Sequence, residues 1–386
     1  MYTVPSPSVL PNTVKQKADP KPERQIVLTR CGYEVAECFY AFKNALTESG
    51  AQAIGKALHF GADIVCSGGI ELFKKIVWDF SIFHIGLASP RIFVYLKKRF
   101  SELDSLLKKY PTETLYMNEE FQTRISEVIY VLQGCPRRSC VKWPVVSAET
   151  HASGWIRSVR QASDAGAVLR TFKSESDMYP MKLAANEIVK SCLDGNTEKA
   201  LFWVRWLLDE DAKIRKENQG NGLTTYERGP HHLSQKKRTD QGFFLLAVFA
   251  EMYKDLAAKN LVRIHEEFQS LLDIWRSADI PLTAKQRREI LGLFILLLAE
   301  VPRWKVPAAP PLVKDATQLS RAVTQSYRFY AEVLLHPPIA ANALKGPLKV
   351  QKKSEKTLTE SMKKQYQLEE HLAAYEEVVN SFMGIT

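Results

Sequence analysis

The stretch SPRIFVYLKKRFSELDSLLKKY, residues 89–110, decides the class of fold that this sequence predicts. Serine followed by proline is a common helix start, because the serine side chain caps the first turn and proline suits the first helical position. Large apolar residues then recur at steps of three and four, which places them on one helical face with basic residues around it. That face consists of Phe93, Leu96, Phe100, Leu103, Leu107 and Tyr110. We therefore expect an amphipathic helix with a buried seam and a solvated basic back.

The same spacing recurs along most of the chain. It predicts helices from about residue 34 to 133 and again over 181–193, 197–217, 242–259, 262–277, 283–301 and 316–335. Thr283 and Gln286 form the signature of a capping box at the start of one of them. No convincing run alternates apolar and polar residues, as a half-buried strand would. The sequence thus predicts an all-α fold, with one helix around residues 150–168 in a weakly patterned connector.

Two ten-residue segments, KALHFGADIV at 56–65 and KALFWVRWLL at 199–208, resemble each other and have similar surroundings. Each follows a helical segment and a turn, and each precedes an aromatic-rich helix, a charged amphipathic helix and an apolar helix. Duplication commonly builds such arrays, because one helical unit covers the apolar face of the next. We interpret the chain as two related multi-helix units in tandem. The alternative is that unrelated amphipathic helices share leucines at similar steps.

The predicted domain organisation follows from these helices and from the composition between them. The two ends are polar and basic, and their composition is typical of disorder. Prolines at 302, 307, 310 and 311 interrupt the helical pattern and predict an extended crossing. The predicted divisions are a disordered basic arm (1–30), a first helical unit (31–134), a connector (135–180), a second helical unit (181–301), a proline-rich crossing with a packing helix (302–340) and a lysine-rich tail with a terminal helix (341–386).

The positive charge is concentrated in the two ends. Residues 1–30 carry five basic residues against two acidic ones, and residues 345–364 carry seven lysines against two glutamates, so these stretches hold +8 of the formal +10. Basic tails on a nearly neutral body predict tethering to a polyanion, or serve solubility alone. The candidate polyanion-binding residues are Lys236, Lys237, Arg238, Arg137, Arg138, Lys352, Lys353, Lys356, Lys363 and Lys364. The alternative for each of these residues is an ordinary charged side chain that is exposed to solvent and binds no partner.

The sequence predicts no catalytic motif, no metal site and no cofactor site. The chain contains no phosphate-binding Gly-x-x-x-x-Gly-Lys-Ser/Thr loop. Cys135 and Cys140 have the wrong gap for a typical zinc knuckle, and His231 and His232 lie in a polar loop. The six scattered cysteines, with no secretory signal and no apolar run long enough for a membrane span, predict free thiols in a reducing intracellular compartment. A cryptic cysteine- or metal-dependent activity is the enzymatic alternative.

Two tryptophans invite a base-stacking interpretation. Trp203 and Trp206 flank Arg205, and stacked aromatic rings beside a cation are typical of single-strand nucleic-acid binding. Their three-residue separation puts both on one helical face beside Leu207, which favours a place in the core.

Several short motifs resemble a helical protein family of nucleocytoplasmic large DNA viruses. They are CFYAF at 38–42, IVCSGG at 64–69, HIGLASP at 84–90, NEEF at 118–121 and KALFW at 199–203, and the likeness spans roughly residues 35–335. The resemblance implies a viral, intracellular setting and brings no active-site residues with it. Residues 187–208 are also similar, locally, to the helical collar domain of clamp-loader subunits, which implies at most an oligomerising role.

These features predict a non-enzymatic helical scaffold or adaptor protein of a large DNA virus. Its helical body is expected to contact other viral proteins or a second copy of itself, and its basic tails to contact DNA, RNA or another polyanion. The expected location is the host cytoplasm or the viral factory, or the interior of the virion, with no membrane partner. The alternative is a sequence-independent nucleic-acid-binding protein, or a collar-like accessory of replication or transcription.

Overall fold

The computed structural model describes residues 27–152, 154–262, 265–278, 280, 282–300, 312–313 and 316–338. The predicted arm up to residue 26, the proline-rich crossing at 302–311, the lysine-rich stretch 345–364 and the terminal helix at about 354–382 lie outside these ranges. Within them the chain is helical and contains no strand, apart from one isolated bridge between Leu28 and Glu34. The all-α prediction is confirmed.

The first set of helices lies between residues 35 and 134. It comprises α1 (Val35–Thr47), α2 (Ala51–Cys66), α3 (Ile70–Phe80), a π-helical turn (Ser81–Ile85), a 3₁₀ turn (Gly86–Ala88), α4 (Arg91–Lys109), α5 (Thr112–Leu115) and α6 (Glu119–Gly134). The predicted seam of α4 is confirmed from Phe93 to Leu103, whereas in the last turn Leu106 is buried and the predicted Leu107 and Tyr110 are half-buried. The predicted side-chain cap is wrong: Pro90 is the N-cap residue of α4, and no side chain caps this helix start.

The remaining described segments contain a second set of helices and a connector. They comprise a 3₁₀ turn (Ala148–His151), α7 (Trp155–Val159), α8 (Gly166–Thr171), α9 (Tyr179–Leu193), α10 (Thr197–Glu217), α11 (Gln235–Arg238), α12 (Gln241–Ala258), α13 (His265–Arg276), α14 (Ala284–Ala299) and α15 (Ala316–Leu335). The predicted capping box at the start of α14 is confirmed, with Thr283 accepting from the Gln286 N–H and Gln286 from the Thr283 N–H.

Two helices form the centres of the two sets. In the first set, α2 packs against α1, α3 and α6, and α15 returns along the chain to cover α2 and α6. In the second set, α14 packs against α9, α10, α12 and α13. Every residue of α14 from Glu289 to Ala299 is buried, which explains why its sequence is apolar all round rather than on one face. Contacts of α4 with α13, and of α14 with the π-helical turn, join the two sets.

The pairs of helices in contact correspond between the two sets. In the first set α1 contacts α2, and in the second set α9 contacts α10 in the corresponding way. Helix α6 contacts both α1 and α2, just as α14 contacts both α9 and α10. The contact of α4 with α6 is likewise matched by α13 with α14. These are the helices that the internal sequence likeness pairs, and the common origin of the two units stays a prediction.

The crossing of α2 with α6 depends on one glycine. A Cβ atom placed on Gly61 would lie 2.5 Å from Cδ1 of Ile129 on α6 and 3.3 Å from the Phe42 ring on α1. Carbon atoms that are not bonded to each other do not approach to 2.5 Å, so any side chain at this position would force the buried Ile129 side chain to move.

Buried carboxylates attach the irregular segments to the helices. Each accepts hydrogen bonds from backbone N–H groups that have no partner within a helix, as buried backbone requires. These bonds are Val141 N to Glu289 Oε1 at 2.6 Å, Ala162 N to Glu187 Oε1 at 2.6 Å, Leu223 N to Asp211 Oδ1 at 2.8 Å and Tyr226 N to Asp177 Oδ1 at 2.7 Å. All four carboxylates belong to residues that are at most 5% exposed.

The secondary structure of the connector differs from the prediction because side chains of α9 accept hydrogen bonds from its backbone. One helix was expected over about 150–168, but α7 and α8 are separated by an extended segment, residues 160–165. Glu187 on α9 accepts the N–H groups of Gln161 and Ala162, and Asn186 accepts that of Ala165 at 2.9 Å. Because these amides bond to side chains of α9, they are not available for a continuous helix.

Candidate functional site: the cavity at His151

The predicted polyanion residues of the connector bond within the chain. Arg137 donates to the carbonyls of Thr47 and Glu48 at the end of α1. Its guanidinium also lies 5.7 Å from the centre of the Phe80 ring. The Arg138 guanidinium lies 3.8 Å from the Glu300 carboxylate. Arg137 therefore serves as a cap for α1, since cations and donors stabilise the free carbonyls at a helix end.

Two of the three basic residues at 236–238 in the 218–240 loop also bond within the chain. Arg238 pairs with Glu227 at 2.6 Å and donates to the carbonyls of His231 and Leu233, and Lys236 donates to the Gly220 carbonyl at 3.0 Å. Lys237 is exposed. Lys352, Lys353, Lys356, Lys363 and Lys364 lie outside the described residues. A polyanion-binding role for all of these residues stays a prediction.

Three thiols surround one buried carboxylate in the first set of helices. Asp63 is 0% exposed and accepts from the Cys31 N–H at 3.1 Å, the Ser67 hydroxyl at 3.3 Å and the Cys38 thiol at 3.7 Å. Burial is the main cause that raises the pKa of Cys31 and of Cys38, and the negative charge of Asp63 is the second cause. Burial also raises the pKa of Cys66. A thiol with a raised pKa is protonated and a poor nucleophile at neutral pH. This cluster is therefore suited to holding the 27–34 segment on α2.

An open cavity of about 440 Å³ lies between the connector and helices α9 and α10. Three separate segments line it: residues 151, 152, 154, 156 and 157 of the connector, the start of α9 at Tyr179, and the middle of α10 from Trp206 to Lys213. Its volume is within the range of about 300–1,000 Å³ that is common for ligand sites.

His151 and Glu210 form the polar wall of this cavity. Nδ1 of His151 lies 2.5 Å from Oε2 of Glu210, and the imidazole stacks on Trp206 with an angle of 12° between the rings. The Trp206 indole donates to the Thr150 carbonyl at 2.9 Å, and the Lys213 ammonium donates to the His151 carbonyl at 2.7 Å. Each element of this wall is thus held by a bond to another segment, so the geometry is set before any ligand binds.

The opening of the cavity is basic and aromatic. The Arg157 guanidinium lies over the exposed Tyr179 ring, 5.5 Å from its centre, and Lys213 lies on the α10 side. Trp206 and its neighbour Trp203 are each 3% exposed, as the core interpretation of these tryptophans predicts. Their rings are covered by His151 and Trp155, which leaves Tyr179 as the accessible aromatic ring.

Sequence reasoning missed this cavity. An isolated histidine such as His151 matches no sequence motif, and Glu210 lies in the charged half of a helix. The spacing of Trp206, Glu210 and Lys213 at four and three residues was available, since it places all three on one face of α10. Nothing local indicated that residues 151–157 would cover that face.

Comparison with known proteins identified no match: no family model, no curated protein and no solved structure is significantly similar to this chain. Within the described residues, no three histidine, cysteine or acidic side chains are grouped as a metal ion requires. None of the helices in these ranges combines the length and the apolar character needed to cross a bilayer.

Proposed function

We propose that this chain is a non-enzymatic helical scaffold or adaptor that binds a protein partner through the surface of its connector. The viral setting is part of the proposal, and its support is the sequence resemblance described above. The helical body supplies a rigid frame, and the connector lies across α9 and α10 of that frame, tied down by the carboxylate of Glu187 and the bonds around His151.

The carrying observation is the exposure of apolar side chains along the connector. Val145 is 92% exposed, Leu169 55% and Tyr179 45%, and Val159 and Met178 are also exposed. Single exposed apolar residues are ordinary, but five of the twelve large apolar residues that are exposed in the described part of the chain lie between residues 145 and 179. Met178 and Tyr179 are adjacent at the start of α9, and the Arg157 guanidinium of α7 lies over the Tyr179 ring. This part of the surface also borders the cavity at His151.

The test is recovery of partners by the tagged full chain from cells in which it is naturally produced. Quantitative mass spectrometry is expected to show partners whose recovery falls when Tyr179→Glu and Val159→Glu are combined. The matched control is Met117→Glu, which places the same charge at a 68% exposed methionine next to α6. Capsid or polymerase subunits among the partners would assign a virion role or a replication role. Equal recovery by the connector variant and the control would contradict the proposal.

A second candidate function is sequence-independent binding of nucleic acid. Residues 345–364 carry seven lysines against two glutamates, which favours this function. On the helical body, most of the candidate basic residues already bond within the chain, namely Arg137, Arg138, Lys236 and Arg238. Binding would then depend on the tail. Deleting residues 345–386 should abolish a DNA affinity that falls steeply with salt, whereas Lys237→Glu should change it little.

A further inference from the structure

The cavity at His151 is suited to one class of partner. We propose that it binds a short acidic segment of a protein, with one large apolar side chain inserted between Arg157 and Lys213. This inference rests on the proposed adaptor function and specifies what the connector recognises.

The charge of the cavity selects an acidic ligand. Within the described part of the chain, neither the Arg157 guanidinium nor the Lys213 ammonium lies within ion-pair distance of a carboxylate, while Glu210 is bonded to His151. The lining therefore carries two cations that have no acidic partner among the described residues, against one acid that is bonded to His151. Arg160, a further exposed cation, follows at the end of α7. Complementary charge across an interface speeds association and excludes the wrong partner.

The walls of the cavity select an apolar anchor. Ile156, Leu183 and Trp206 are each at most 7% exposed and line it together with Pro180. Well-packed apolar pockets with a polar rim are where a few anchor side chains contribute most of the binding energy of an interface. A volume of about 440 Å³ accommodates a phenylalanine or tryptophan side chain with its adjoining backbone.

The apolar surface beyond the cavity favours a peptide over a small anion. Tyr179, Met178 and Val159 are exposed outside or at the rim of the cavity. A small ligand confined to the cavity would leave Met178, next to the lining residue Tyr179, in water, whereas a polypeptide that continues past its anchor would cover it. Burial of such surface stabilises a complex by about 25 cal/mol per Å² before the cost of association.

The experiment is fluorescence anisotropy of labelled peptides with the full chain. The probes are the pentapeptides EEFEE, EEAEE and KKFKK. EEFEE is expected to bind, EEAEE at least about tenfold more weakly because it lacks the anchor, and KKFKK not measurably. Charge reversal by Arg157→Glu should weaken EEFEE by about tenfold or more, since close charge pairs at interfaces contribute on this scale.

Two further variants keep the result independent of folding. Lys213→Gln retains a donor for the His151 carbonyl while removing the charge, and it should weaken EEFEE in the same direction. Lys98→Glu, at an exposed lysine of α4, is the matched control and should leave binding unchanged. Unchanged unfolding midpoints of all three variants exclude loss of structure.

The outcomes separate this inference from the proposed function. Binding of EEFEE that is insensitive to Arg157→Glu and Lys213→Gln would overturn the inference. So would Arg157-dependent binding of phenyl phosphate without binding of EEFEE, because the site would then be one for small organic anions. If EEFEE does not bind while the Tyr179→Glu and Val159→Glu chain still loses its partners, the adaptor function stands and the acidic segment is wrong.

Discussion

The guanidinium of Arg228 binds the buried carboxylate of Asp177 through two hydrogen bonds, from Nη1 to Oδ1 at 2.8 Å and from Nη2 to Oδ2 at 2.5 Å. The Asp177 side chain is fully buried, and Arg228 also covers the Phe244 ring of α12 at 5.3 Å. The pair joins the 218–240 loop to the connector and to the second set of helices. The predicted polar loop is thereby attached to the connector by an ion pair with a buried carboxylate.

Breaking this pair should destabilise the protein strongly. Asp177→Asn keeps the shape of the side chain but leaves the Arg228 charge without its partner, and breaking a buried pair in this way typically costs about 3–5 kcal/mol. Urea unfolding at neutral pH measures the loss. Lys190→Gln, which removes an exposed pair with Asp194, is the control and should cost less than about 1 kcal/mol.

The same pair predicts how stability depends on pH. Burial alone would raise the pKa of Asp177, but hydrogen bonds from Arg228 and from the N–H groups of Lys173 and Tyr226 outweigh it and lower that pKa. A carboxyl whose pKa is lowered by folding stabilises the fold fully above its unfolded pKa of about 3.9 and loses that contribution as the pH falls through the folded value. The difference in unfolding free energy between wild type and Asp177→Asn should therefore shrink below about pH 4. A constant difference down to the lowest pH would contradict this account.

A methyl group on Gly61 should destabilise the crossing of α2 with α6. Gly61→Ala places a carbon 2.5 Å from Cδ1 of Ile129, and overpacking of this kind costs about 1–3 kcal/mol. Ile129→Val removes that Cδ1 atom, at an expected cost of about 0.5–1.5 kcal/mol by itself. The double variant should be more stable than the sum of the two losses predicts, as measured in a double-mutant cycle. Additive losses would mean that the Cδ1 contact is not what excludes alanine.

The positions of the helices were largely predictable from the sequence, because helical spacing is a local property. The predicted bounds 197–217 and 316–335 coincide with α10 and α15. The roles of charged residues were not predictable in this way. Arg137 and Arg238 are candidates for polyanion binding because other basic residues are adjacent to them in the sequence. Such clustering does not reveal the carbonyl and carboxylate groups that the fold brings into contact with them.

The buried acids did leave a signal in the sequence. Glu187 stands between Asn186 and Ile188 on the apolar face of α9, and Asp63 between Ala62 and Ile64 on α2. An acid on an apolar stripe requires a partner, because an unpaired buried charge is costly. What the sequence does not give is the partner's identity, since the Gln161 and Cys31 amides reach these acids only after the fold has formed. The cavity at His151 is hidden for the same reason.

Removing the Glu187 carboxylate should release the connector from α9. In Glu187→Ala the amides of Gln161 and Ala162 lose their acceptor, and each buried donor left without a partner costs about 1–3 kcal/mol. Amide hydrogen exchange at residues 160–165 should accelerate more than exchange in α14. Glu187→Gln retains one acceptor oxygen and should lie between the wild type and the alanine variant. Exchange that accelerates equally in both regions would indicate global destabilisation instead.

Thiol labelling of the native protein should be confined to Cys140. Cys140 is the exposed cysteine, whereas Cys38, Cys66, Cys135 and Cys192 are buried and Cys31 is partly buried beside Asp63. Burial also raises the pKa of Cys135, to about 11, so that its thiolate is scarce at pH 8. Reaction with a chromogenic disulfide at pH 8 is expected to give one fast thiol, at the rate of an ordinary exposed cysteine, and five more after unfolding in urea. Cys140→Ser should abolish the fast phase. A fast phase that persists in that variant, or one far faster than a free thiol, would reveal an activated cysteine and would favour the enzymatic alternative over the scaffold.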